Sequence, residues 1–225
     1  MSHFHDPAMI AHYHDGPPIF VPGFADMQRM ARVLLAERAP DDARVLVLGA
    51  GGGLELKAFA DSQPGWTFDG VDPSRAMLDL ARRTVAAHAG RVRLHEGYVD
   101  VAPQGPFDAA CCLLTMHFMA PPERRHALRA LHERLEPGSP FVVMHLSIAQ
   151  EAPERARWMA RDEAFALANG VAPDLARRRR EGILANLSVL APGEDEALLR
   201  EAGFEDIDVF YVGGAFRGWV CRSRA

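Results

Sequence analysis

The residues Val45-Leu46-Val47-Leu48-Gly49-Ala50-Gly51-Gly52-Gly53 set a short apolar run directly against a glycine cluster. Glycine has no Cβ, so a Gly49-x-Gly51-x-Gly53 turn lets a ligand approach the backbone, and the helix that follows offers free N–H groups at its start. Asp72 lies 19 residues past Gly53, at the tip of the next apolar run. A carboxylate there can accept hydrogen bonds from two ribose hydroxyls. Gly49, Ala50, Gly51, Gly53, Asp72 and Pro73 therefore form a candidate nucleoside site. The spacing differs from the Gly-x-Gly-x-x-Gly of dinucleotide enzymes. The plainer alternative is a tight turn with Asp72 capping the helix that begins near Pro73, and capping does not exclude ribose binding.

Proton transfer near neutral pH falls first to histidine. His145 stands near the end of a later apolar run and His117 just after another, both at the edge where open parallel sheets bind ligands. Either is a candidate base or a hydrogen-bonded structural residue. His3, His5, His12 and His14 invite a metal reading, but no cysteine or carboxylate set with zinc spacing follows, so a lid-forming segment is favoured over a metal site. Arg177-Arg178-Arg179-Arg180 spans a full helical turn, so at most one or two of the four can face a pocket.

The elements that must position these residues follow from period. Asp26–Arg38 reads as a helix from Met27, Met30, Val33 and Leu34. Strands are expected over 44–48, 67–71, 92–95, 107–114 and 141–146, and helices after the glycine turn to about Ala60, from Pro73 to about Ala87, and over 121–135. Strands alternating with helices of this length predict an α/β, Rossmann-like parallel sheet covered on both faces. Two helices over 154–168 and 174–187, parted by Asn169-Gly170 and Pro173, read as a cap inserted after the fifth strand. A helix over 193–202 and two strands, 207–212 and 215–220, joined by Gly213-Gly214, complete the sheet with a hairpin. One domain is expected, with residues 1–40 as N-terminal lid and helix and 151–190 as the cap.

At 225 residues with 48% hydrophobic and 24% charged residues, the chain can bury a real core, which excludes disorder, collagen and coiled coil. The apolar stretch around Ala109–Met119 falls short of the ~20 residues of a membrane span, and no basic patch precedes an apolar run at the N-terminus. A cytoplasmic protein is expected. A net charge of -5 with mixed signs gives no field for nucleic acid. The adjacent Cys111 and Cys112 suit reduced, buried thiols.

Val45–Gly53, Gly70-Val71-Asp72-Pro73-Ser74 with Ala76-Met77-Leu78, and Leu131 to Leu135-x-Pro137-Gly138 resemble class I S-adenosylmethionine-dependent methyltransferases. Phe4 through Val21-Pro22-Gly23-Phe24, Leu114-Thr115-Met116-His117-Phe118-Met119, and Ala168-Asn169-Gly170 through Arg180 resemble in particular the carboxy-S-adenosylmethionine synthase branch. The resemblance implies a seven-stranded, mostly parallel sheet with a terminal antiparallel strand, and S-adenosylmethionine at the strand carboxyl ends. It implies that Leu114 borders the cofactor, and that the N-terminal segment folds over it, bringing Tyr13, His14 and Phe24 near cofactor or acceptor. It also implies that Arg180 holds a carboxylate, and that the protein dimerises. Two positions depart from the family pattern: Val47 replaces an acidic residue before the first glycine, and Gly97-Tyr98 replaces Gly-Asp. Tyr98 can flank the adenine and Val99 can supply a backbone N–H. Methyl transfer to a small-molecule acceptor is the expected activity. A carboxy-S-adenosylmethionine synthase using prephenate and a non-catalytic cofactor-binding protein are the alternatives.

Overall fold

The computed structural model describes residues 13–224, with only the backbone of His14. A 3-10 turn, Tyr13–Asp15, leads into a short helix α1 (Gly16–Phe20) and then α2 (Phe24–Ala36). The alternating part runs β1 (Arg44–Leu48), α3 (Leu54–Ser62), β2 (Thr67–Asp72), α4 (Arg75–Thr84), β3 (Val92–Glu96), β4 (Ala109–Leu113), α5 (Pro121–His132) and β5 (Pro140–Leu146). After β5 come α6 (Glu154–Ala168), α7 (Pro173–Asn186), α8 (Pro192–Glu201), β6 (Phe204–Gly213) and β7 (Phe216–Ser223). The expected elements are all present among the described residues. The hairpin turn falls on Gly214-Ala215 rather than Gly213-Gly214, because β6 continues through Gly213, which pairs with Phe216.

The strands form one seven-stranded sheet in the order β3-β2-β1-β4-β5-β7-β6. β1 to β5 run parallel, while β7 pairs antiparallel with both β5 and β6. Chain direction across the sheet reverses between β1 and β4, the place where open α/β sheets hold ligands at the strand carboxyl ends. β4 and β5 are buried along their whole length, as strands covered on both faces must be. On one face, Met27 and Leu35 of α2 and Leu56 and Phe59 of α3 pack on Val45, Val47, Cys111, Val142 and Met144. On the other, Leu128 and Leu131 of α5 and Leu198 and Leu199 of α8 pack on Leu46, Cys112, Phe141, Val143 and Trp219.

Local chemistry fixes the helix ends. α5 and α8 each start with a proline, which needs no N–H partner there, and a glutamate three positions past the cap residue accepts the cap amide: Ala120 N–H to Glu123 and Ala191 N–H to Glu194, both 2.8 Å. Among the described residues no helix is long and apolar enough to cross a membrane.

Candidate functional site

The glycine turn sits at the carboxyl end of β1. Its first two amides, Gly49 and Ala50, donate to Val71 O of β2 at 2.8 and 2.9 Å, which ties the turn to the next strand. Gly49 has φ +78°, and a Cβ there would lie 2.0 Å from Thr115 Oγ1, so only glycine fits. Thr115 follows Leu114, a leucine held at φ +57° just past β4. A bulky residue in the left-handed region stores backbone strain, and such strain concentrates at ligand sites.

Asp72 braces this turn from beneath. One carboxylate oxygen accepts the Gly51 N–H at 2.9 Å and the other accepts the Ser74 N–H at 2.8 Å. Burial raises its pKa, and the two amides act against that rise. The helix cap is Ser74, whose hydroxyl accepts the Met77 N–H at 3.3 Å; Asp72 is left to face the turn. The Gly97 N–H reaches Asp72 O at 3.0 Å, so Tyr98, 54% exposed, and the buried Val99 stand beside the same edge. Pro73 is exposed next to Asp72 and Ala50 is buried within the turn.

Tyr13 reaches the turn from the N-terminal side. A Cβ on Gly51 would meet its hydroxyl at 2.9 Å and one on Gly52 its ring at 2.7 Å, so the phenol packs against both glycines. Burial pushes its pKa up, the Glu55 and Asp72 carboxyls push it further, and the Gly52 amide opposes them. A phenol so placed is neutral at pH 7 and donates rather than takes a proton. Glu55, in the first turn of α3, is only 8% exposed. Its pKa is pushed up to about 8 by burial first and by Asp72 last, its own backbone amide working against both. A glutamate in a first helical turn reads as ordinary helix-dipole compensation, so nothing in the sequence singles it out.

The two histidines correct the expectation of a base at the sheet edge. Along β5, side chains alternate, and His145 falls on the face of Phe141 and Val143, under α5 and α8. It is 2% exposed, its ring lies 5.6 Å from that of Trp219, and Nε2 stands 3.1 Å from Asp195 Oδ1 without the alignment of a hydrogen bond. Asp195 is held below the usual carboxylate range: burial raises it, but His145, Arg124 and the Ser147 hydroxyl together outweigh burial. His117 is 5% exposed, and its Nδ1 accepts the Leu146 N–H at 3.3 Å. Burial, then the charges of His145, Arg124 and Arg179, hold it well below the usual histidine range, hence neutral. Both histidines belong to the core that locks β4 and β5 to α8.

Arg180, expected to hold a carboxylate, pairs its guanidinium with Glu163 of α6 at 3.1 Å. Two of the four arginines do turn inward, and Arg179 reaches the described part of the N-terminal segment, paired with Asp162 and stacked 4.5 Å over Phe20. Phe24 packs against the core instead of facing a ligand. His3, His5 and His12 lie outside the described residues, as does the side chain of His14. A cavity of about 300 Å³, lined by Phe20, Pro22, Arg161, Asp162, Phe165 and Gly214, opens between the N-terminal segment, α6 and the β6–β7 hairpin.

Residues 45–138 match the family described as methyltransferase domain. The carboxy-S-adenosyl-L-methionine synthase of Campylobacter lari is 24% identical over 200 residues, covering 89% of this chain and 86% of that protein. Among solved structures, an O-methyltransferase family protein from Burkholderia thailandensis superposes with a TM-score of 0.72 at 17% identity, over 100% of this chain and 62% of the other. Human N-acetylserotonin methyltransferase, solved in complex with SAM, gives 0.62 at 17% identity over 99% and 61%. The chain thus spans about three-fifths of the length of these two structures. Residues 45–138 thus match a methyltransferase domain, and the described chain shares the fold of these methyltransferase structures.

Proposed function

We propose that the protein is an S-adenosylmethionine-dependent methyltransferase acting on a small-molecule acceptor. The observation that carries this reading is Asp72, half-buried behind the glycine turn with one oxygen on the Gly51 amide and the other on the Ser74 amide. Each carboxylate oxygen has a second lone pair, so the same group can accept a ribose diol without releasing the backbone. Gly49, Ala50, Gly51 and Gly53 would hold the amino-acid side of the cofactor, and Pro73, Tyr98, Val99 and Leu114 would flank its nucleoside. S-adenosylmethionine supplies an electrophilic methyl group. What the chain must add is orientation of the acceptor and exclusion of water. Tyr13 beside the glycine turn and Phe20 in the lining of the 300 Å³ cavity lie on one continuous stretch, and the cavity has the size of a small ligand site.

Titration calorimetry with S-adenosylhomocysteine tests the reading, together with mass spectrometry of small molecules released from the purified protein. Native protein should bind, and Asp72→Ala should weaken binding at least a hundredfold. Unchanged affinity in Asp72→Ala would remove the ribose from this position.

A second reading has one specific support, the similarity to carboxy-S-adenosyl-L-methionine synthase along most of both chains. It would have the chain modify S-adenosylmethionine itself with prephenate, and Arg180 would have to leave Glu163 to bind the new carboxylate. Incubation with both compounds separates the readings: a carboxylated cofactor establishes the second, and unchanged S-adenosylmethionine rejects it.

A further inference from the structure

The cavity of about 300 Å³ joins an apolar interior to a cationic end. Phe20 and Pro22 line it from the N-terminal segment, Phe165 from α6 and Ala215 from the hairpin turn. The acid in its lining, Asp162, is buried and paired with Arg179, whose guanidinium also stacks over the Phe20 ring. Arg161, the next residue along α6, lines the cavity as well. Helix side chains lean toward the helix start, and Arg161 does so: its guanidinium carbon stands 4.6 Å from the centroid of the Trp158 ring, one turn earlier on α6. Arg217 of β7, which leaves the turn that lines the cavity, comes within 5.3 Å of the same ring. Two guanidiniums therefore meet at Trp158. Arg217 steadies its own turn through Nη1, which donates to Gly214 O at 3.0 Å and Phe216 O at 2.9 Å, so Nη2 is left to donate elsewhere. A guanidinium over a ring keeps its N–H groups in its own plane, where they still reach a carboxylate. Among the described groups at this wall, three arginines, at 161, 179 and 217, stand against the one carboxylate of Asp162.

We propose that this cavity binds an aromatic carboxylate, its ring against Phe20 and Phe165 and its charge at the Trp158 end, held by Arg161 and Arg217. This rests on the methyltransferase reading for the ligand's role and deepens it by naming the class of acceptor. A flat ring suits a small site walled by aromatic side chains, and a carboxylate matches the donor fork of a guanidinium. A cationic ligand is repelled by the arginines, and a neutral ring gains the apolar contact alone. Prephenate falls outside the class, because its ring is not aromatic.

Calorimetry on the full chain with two ligands of one shape tests this without any turnover. 2-Naphthoate carries the charge, and 2-naphthamide puts a neutral amide in its place. Native protein should bind naphthoate about tenfold more tightly than naphthamide, because hydrogen bonds to a charged group are the stronger kind. Arg161→Gln and Arg217→Gln should each weaken naphthoate about tenfold and leave naphthamide within about twofold, whereas Phe165→Ala should weaken both ligands. Unchanged binding of S-adenosylhomocysteine shows that the variants are folded. Equal affinity of native protein for the two ligands, or naphthoate binding that neither arginine variant weakens, overturns the proposal. Native protein that binds S-adenosylhomocysteine but neither naphthalene ligand overturns the proposal alone. Binding of naphthoate without S-adenosylhomocysteine overturns the cofactor reading and leaves the ring site standing.

Discussion

Glu55 ties the chemistry of one side chain to the stability of the free protein. Its carboxyl holds a proton up to about pH 8 in the folded state, whereas an unfolded glutamate loses it near 4.5. The folded state therefore binds more protons between those values, and stability falls as pH rises through the window, by about 1.4 kcal/mol per pH unit at most. His117, held low, acts in the opposite sense only up to its unfolded pKa of about 6.5, and the raised thiols begin to matter only near 9. Between pH 6.5 and 8 Glu55 dominates among the shifted groups. The ligand-free protein should lose about 2 kcal/mol across that window, a fall in melting temperature of roughly 4–8 °C. Scanning calorimetry at several pH values checks it: Glu55→Gln should flatten the slope, and an equal slope in both proteins would deny Glu55 its raised pKa. This residue was not legible beforehand, since no local pattern distinguishes a glutamate turned into the core from one on the surface. Gly49 and Asp72 were legible, because a turn needing positive φ and a carboxylate at a strand tip are both local statements.

The elements on the α5–α8 face are held by one buried charge. Arg124 of α5 is 1% exposed, pairs with Asp195 of α8, and donates to Met116 O at 2.9 Å and Ser188 O at 2.6 Å. Asp195 in turn accepts the Ser147 hydroxyl at 2.6 Å, just past β5. One guanidinium thus joins two helices, the turn after β4 and the end of β5. Removing it leaves a buried carboxylate without its arginine partner, which costs about 3–5 kcal/mol. Arg124→Met should lower the melting temperature by roughly 10 °C, and adding Asp195→Leu should recover a good part of that loss. A single variant within 1 kcal/mol of native protein, by denaturant unfolding, would show the pair to be dispensable. The elements themselves follow from periodicity: the 154–168 helix, stopped by Asn169-Gly170, appears with the expected bounds. Their facing was harder to read. Alternation along β5 places His145 inward with Val143, yet its position near a strand end is equally that of a ligand-edge residue, and only packing against Trp219 and Asp195 decides.

Taken as one body, the fold keeps its two edges apart. The amino edge of the central strands is closed by backbone pairing, with the Gly138 N–H on Ser223 O at 2.9 Å and the Ser223 N–H on Ser139 O at 3.0 Å. The carboxyl edge carries the glycine turn, Asp72, the strained Leu114 and the N-terminal segment. That segment is tied down at three points: Asn169 to Ile19 O at 2.9 Å, Tyr211 to Pro22 O at 2.5 Å, and Arg179 over Phe20. A ligand that binds only the folded state stabilises it by mass action, by about 2.7 kcal/mol at a hundred times its dissociation constant. S-adenosylhomocysteine at that level should raise the melting temperature by roughly 5–10 °C. The same ligand should move the backbone amide resonances of residues 49–53, 72, 74, 97–99 and 114, together with that of Tyr13, and leave those of 138–140 and 223 in place. Shifts centred on the amino edge would put the ligand on the wrong side of the sheet. A melting shift without shifts at 49–53 would mean that something other than the glycine turn binds it.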